Sequence, residues 1–159
     1  IGITVNGKKI DASSFDAESV KPLEKNTKIE FDVVTKEAVS QSFVKLTSLF
    51  NELADRMEQV PVELQSGKDK QAHESIRQLA DNIETFCHTA ALASLFPETY
   101  TAVVIDGKPF SKFFEEFSPI LNDFEQALKS NDTVTVGDLS EYEICPRLRS
   151  IAKALEGFK

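Results

Sequence analysis

The chain has 159 residues, of which 41% are hydrophobic, 28% charged and 9% aromatic, with a formal net charge of -8. That composition suits one compact domain, or a domain with a small appendage, and lies well away from the disordered class. The acidic surface is repelled by phosphate backbones and anionic headgroups, so no nucleic acid and no membrane is expected as partner, whereas a basic protein or basic amphipathic helix is favoured.

The two cysteines, Cys87 and Cys145, are far apart and in no C-x-x-C spacing. A disulfide framework is therefore not expected, which points to a reducing compartment and a cytoplasmic protein. No uninterrupted apolar run approaches membrane-spanning length. The chain opens Ile-Gly-Ile rather than with methionine, which leaves room for an upstream segment or a truncated N-terminal domain.

Residues 1–34 read as a small β element. In Ile3-Thr-Val-Asn-Gly-Lys-Lys-Ile10 the Asn6-Gly7 pair sits between short β-formers and predicts a hairpin. Lys28-Ile-Glu-Phe-Asp-Val-Val34 alternates, with Ile29, Phe31 and Val33 on one face, and predicts one further strand. Residues 11–26 show no period. So thin a sheet must pack on something to be stable.

From Thr35 the period changes, and residues 35–159 read as a helical bundle. Val39, Phe43, Leu46, Phe50, Leu53, Met57 and Val60 recur every three or four residues, with Thr35 as the expected N-cap and Pro61 as the exit. A second segment carries Ala72, Ile76, Leu79, Ile83, Phe86, Ala90 and Ala93. A third carries Phe110, Phe114, Phe117, Leu121, Phe124 and Leu128, and a last one Ile144, Leu148, Ile151, Leu155 and Phe158. The fold class is thus mainly α, an antiparallel bundle of about four helices with a small N-terminal β element. Half of the twelve phenylalanines lie between Phe96 and Phe124, so the third helix is expected to be the most heavily buried. Tyr100 to Ile105 reads as a strand or a last helical turn, and Ile105-Asp-Gly-Lys as a turn independent of the similar Val5-Asn-Gly-Lys.

The residues argue against several chemistries. His73-Glu74 begins like a zinc-protease motif, but the second histidine's position holds Arg77. A Glu-x-x-His di-iron pattern would need glutamates where the chain has Lys70 and Thr85. Glu84 and His88 stand one turn apart but lack further ligands, so no metal or other cofactor is expected. Cys87, beside the stripe of Phe86 and Ala90, reads as a buried, inert thiol. Ser66-Gly-Lys-Asp69 lacks the phosphate-cradling glycines, and no G-x-S-x-G occurs. No catalytic residue is expected, and a ligand- or metal-binding enzyme is the least favoured reading.

One segment stands apart. Thr135-Val-Gly-Asp138 fits a capping box with Thr135 as N-cap. Pro146 removes a helical hydrogen bond and should bend or break the helix at Cys145–Pro146, with Cys145 pushed from helical angles. On a helical projection Asp138, Tyr142, Cys145 and Arg149 leave the apolar stripe of Ile144, Leu148, Ile151 and Leu155. Asp138, Tyr142 and Arg149 form a candidate interaction face. Bracing of an intramolecular loop by Tyr142 and Asp138 is the plainer alternative.

The pattern Asp132-x-Val134-x-x-Gly-Asp138-Leu-x-Glu-Tyr-Glu-Ile-x-Pro146-x-Leu148 resembles a C-terminal signature of uncharacterised bacterial helical proteins, in which a β-rich part with a similar V-[ND]-G-K turn precedes the helices. The resemblance implies a bacterial source and a helical C-terminal domain, and carries no activity. The expectation is a non-enzymatic interaction or assembly protein whose partner is another protein or itself as a homo-oligomer. The runner-up is a cytoplasmic chaperone or adaptor holding an amphipathic or basic helix of a secretion or motility partner.

Overall fold

Asn6 and Gly7 adopt φ of 50° and 79°, the left-handed pair that a two-residue hairpin requires and that asparagine and glycine tolerate best. They join β1 (Gly2–Val5) to β2 (Lys8–Ile10). The computed structural model describes residues 2–158 and divides the chain into two units, Ile1–Thr35 and Lys36–Lys159. In the first, β3 (Ile29–Asp32) pairs antiparallel with β1, giving the order β2-β1-β3. Asn6 also ties the hairpin to the approach of β3. Its N–H donates to the Lys28 carbonyl and its side-chain oxygen accepts from the Lys28 N–H, both at 2.8 Å. The stretch without a period holds a short 3-10 turn (Ala12–Ser14) and a short helix α1 (Phe15–Ser19).

The second unit is mainly helical, and every long apolar repeat has become helix. α2 (Lys36–Gln65) starts directly after Thr35 and is followed by α3 (Asp69–Ala93). Next come a short α4 (Pro97–Thr101) and two two-residue strands, β4 (Val104–Ile105) and β5 (Lys108–Pro109). Asp106 and Gly107, at φ 50° and 74°, make the same left-handed turn as Asn6-Gly7. The stretch from Tyr100 to Ile105 is therefore divided, the helix ending at Thr101 before β4 begins. α5 (Phe110–Lys129) completes this part. The C-terminal helix runs as α6 (Thr133–Asp138), a π-helical segment (Leu139–Ile144) and α7 (Cys145–Leu155).

Pro61 does not end α2, which continues one more turn to Gln65. A single proline deletes one hydrogen bond, and the apolar stripe that packs α2 against α3 and α7 outweighs that loss. Gly67 stops the helix instead. At φ 70° its N–H donates to the Leu64 carbonyl (3.3 Å) and the Lys68 N–H to the Glu63 carbonyl (2.8 Å), a Schellman closure.

The third helix is not the most buried. α2 buries nine residues, among them Phe43, Phe50 and Met57, whereas α5 buries Phe113, Phe117, Phe124 and Ala127. Position explains this: α2 has packed neighbours on several sides, while the phenylalanines of α5 meet one another and Phe86 along one edge. Phe86, fully buried, is the joint of that cluster, with ring centroids of Phe50 and Phe110 at 5.3 Å and those of Phe114 and Phe43 at 5.8 and 6.2 Å.

Candidate functional site

The signature segment begins with a cap, but Thr135 does not supply it. Asp132 is the N-cap of α6: one carboxylate oxygen accepts from the Thr135 N–H (3.1 Å) and the other from its hydroxyl (2.7 Å). These bonds favour the charged form and hold the Asp132 carboxyl below its ordinary pKa. The helix thus starts ahead of Thr135, with Asp132 as its N-cap, and the Thr135–Asp138 capping box expected from the spacing does not form. Gly137 follows, buried, where a Cβ would lie 3.3 Å from Cβ of Pro61. The glycine is what lets α6 approach α2 there.

Pro146 does not push Cys145 from helical angles; Cys145 has φ -53° and ψ -48°. The chain accommodates the proline by widening ahead of it. In the π-helical segment the Cys145 N–H donates to the Ser140 carbonyl, five residues back, and Pro146 then falls in the first turn of α7, where an N–H has no helical duty. Arg147 adds a side-chain substitute, donating from Nη1 to the Glu143 carbonyl (2.8 Å) and carboxylate (2.6 Å). Its guanidinium also lies over the Phe117 ring, 5.9 Å from the centroid.

The face expected to gather Asp138, Tyr142 and Arg149 divides. Arg149 turns to α2, with Nη1 3.1 Å from Asp55 and Nη2 2.8 Å from Glu58. Cys145 points the same way, its Sγ donating to the Ala54 carbonyl at 3.3 Å. Asp138 and Tyr142 stay exposed. A hydrogen bond to Glu141, then the charges of Glu141 and Asp138, push the Tyr142 phenol up.

Two pockets were not foreseen. A polar cleft of about 230 Å³ brings Asp106 and Lys108 of the β4–β5 turn to Pro146, Arg147 and Ser150 of α7, over Phe113 and Glu116. Its charges are largely spent on each other, Lys108 with Glu116 and Arg147 with Glu143. The larger pocket, about 510 Å³, lies within the N-terminal unit between one sheet face and residues 15–27. The register sets Ile3 opposite both Ile10 and Phe31, and Val5 opposite Ile29, so these five apolar side chains share that face. Among the described residues, none of this unit is buried. The alternation of Ile29, Phe31 and Val33 was the signal for that face; the register that joins it to Ile3, Val5 and Ile10 could not be read along the chain.

The thiols differ in a way that can be measured. Cys87 is exposed rather than buried, because one residue beyond Phe86 the helix has turned about 100° from the packed stripe. Burial, and next the Glu58 charge, push the Cys145 thiol up to about 11. Mild alkylation at neutral pH should add one label to the native chain, at Cys87, and a second only in denaturant; two labels in the native protein would contradict this packing. The folded state holds the Cys145 proton more tightly than the unfolded chain. This stability is present below the ordinary thiol range near 9 and is lost as the pH rises towards about 11.

Among the described residues, no group of three or more His, Cys, Asp and Glu is placed to hold a metal ion, and no helix is long and apolar enough to cross a membrane. What these features define is a mainly helical, acidic protein with a small one-sided antiparallel sheet at its N-terminus. Residues 41–154 match a family described as a domain of unknown function, DUF8042, and the chain belongs to that family. It is also similar to an uncharacterized protein of Treponema pallidum (strain Nichols), 20% identical over 153 residues, covering 96% of this chain and 76% of the relative. No solved structure matches.

Proposed function

We propose that the protein is a non-enzymatic interaction or assembly protein of the bacterial cytoplasm, its helical part an antiparallel bundle of about four helices marked by the Asp132–Leu148 signature. One observation carries this reading. The N-terminal unit gathers apolar side chains on one sheet face, and residues 15–27 close over that face only in part, leaving Phe31 of the sheet 62% and Leu23 of the covering stretch 71% exposed. Such a face is stable in water only when protein covers it. Light scattering at micromolar concentration is the test, together with purification from native lysate. A homo-oligomer or one stoichiometric partner is expected; a clean monomer that brings nothing with it would sink the reading.

A second reading, a chaperone or adaptor for an amphipathic helix, draws on one feature. A groove of about 280 Å³ between α3 and α5 is floored by Ile76, Leu79, Ile83, Leu121, Phe124 and Leu128, spaced as two helical stripes. A helix laid there would use anchors at i, i+3 and i+7. A stoichiometric helical partner in the purification, lost on Leu121→Lys, favours this reading over assembly. Tyr142→Ala and Arg149→Ala, carried alongside, test the signature face; if both variants fold and keep every partner, that face does not dock.

A further inference from the structure

Three elements of the helical unit meet at the polar cleft of about 230 Å³: the β4–β5 turn, α5 and the start of α7. The ion pairs of Lys108 with Glu116 and of Arg147 with Glu143 use only part of what these elements bring there. Among the described residues, the Asp106 carboxylate makes no ion pair or hydrogen bond, and neither does the Ser150 hydroxyl. The Arg147 guanidinium bonds only through Nη1, which leaves the donors on Nε and Nη2 unspent. An unpaired carboxylate, an unpaired hydroxyl and one open edge of a guanidinium thus line the same small cavity. We propose that this cleft binds a free α-amino acid, its ammonium group held by Asp106 and its carboxylate by Arg147 and Ser150. The site does not depend on assembly of the chain.

Charge selects the ligand class. Asp106 and Glu116 stand in the cleft against Lys108 and Arg147. A simple anion entering there meets two carboxylates, and a simple cation meets two positive groups. A zwitterion finds a partner for each of its charges, which is the condition for discrimination against both. A guanidinium edge also matches a carboxylate in shape, taking it through two parallel N–H bonds.

The chain holds these groups ready. Arg147 is fixed by Glu143 and lies over the Phe117 ring, with its side chain only 27% exposed, so little rotamer freedom is left to lose on binding. The widened helix ahead of Pro146 gives Arg147 this place at the start of α7, and π-helical segments are frequent at functional sites. Asp106 is carried by the left-handed turn with Gly107. Phe113, 5% exposed, and Pro146 offer an apolar wall to the ligand's side chain. The cavity is smaller than the roughly 300–1,000 Å³ of pockets for drug-sized molecules, which favours a small, uncharged side chain.

Isothermal titration calorimetry of the full chain tests this. The probes are glycine, L-alanine, L-serine and L-valine, with sodium acetate and methylammonium chloride as single-charge controls. At least one amino acid should bind saturably with a Kd of about 1 mM or tighter, and both controls should bind at least about tenfold more weakly. Asp106→Asn and Ser150→Ala should each weaken binding by about tenfold, the worth of one hydrogen bond to a charged group. Neither change breaks a contact within the chain, and asparagine tolerates the left-handed angle at 106. Asp123→Asn, exposed on α5 and outside the cleft, should leave binding unchanged. No saturable binding by any of the four amino acids overturns the site. Binding that survives both cleft substitutions overturns its placement here, and equal binding of acetate or methylammonium overturns the zwitterion.

Discussion

Phe86→Ala is expected to be the most damaging single substitution in the helical unit, at about 3–5 kcal/mol. The ring is completely buried and meets Phe50 and Phe110 edge-on, Phe43 in the same manner, and Phe114 at a tilt. Truncation removes the transfer energy of the ring and the edge-to-face contacts, and leaves a cavity whose walls belong to three helices. Walls held by three separate elements cannot collapse together onto the gap. Whole domains are stable by only about 5–15 kcal/mol, so the loss should be plain in the urea midpoint. Tyr142→Ala, on the exposed side of the π-helical segment, should stay within about 0.5 kcal/mol. Similar midpoints for the two variants would mean that the aromatic cluster does not join α2, α3 and α5.

Gly137→Val should cost about 1–3 kcal/mol by overpacking. The backbone at Gly137 has no positive φ, so conformational freedom does not explain the glycine. Space does: a Cβ would meet Cβ of Pro61 at 3.3 Å and its Cα at 3.6 Å. Alanine at this position gains about 1 kcal/mol of helix propensity, which offsets mild crowding, so Gly137→Ala should be nearly neutral. The branched valine adds methyl groups with nowhere to go and should force α6 off α2. In a Pro61→Gly background the valine penalty should shrink, since contacting residues are not additive. Equal costs in both backgrounds would show that Pro61 is not what Gly137 accommodates.

That contact also shows where reading along the chain stops. Pro61 alone reads as a helix end, because a proline beyond the first turn of a helix removes a hydrogen bond. Whether the helix survives depends on what packs around it, and α3, α6 and α7 are supplied by residues later in the chain. Asp132 and Thr135 illustrate a smaller gap. Both are good capping residues, and only the observed start of α6 at Thr133 decides between them. Arg149 is a third case. A helical projection separated it from the apolar stripe, but a projection has no knowledge of Asp55 and Glu58 on the neighbouring helix.

What the sequence by itself determined was local. Asn6-Gly7 and Asp106-Gly107 dictate their turns through the left-handed angles those residues tolerate. The three-and-four spacing from Val39 to Val60, and its later counterparts, dictates helix by placing apolar groups on one side. Tertiary structure decided the rest: that α2 passes through Pro61, that the helix widens before Pro146, and that Cys145 and Arg149 face α2 while Tyr142 faces solvent. The reason is physical. Turns and periodicity are settled by sterics within a few residues, whereas the cost of a proline, a buried thiol or a charge depends on which distant surface comes to lie against it.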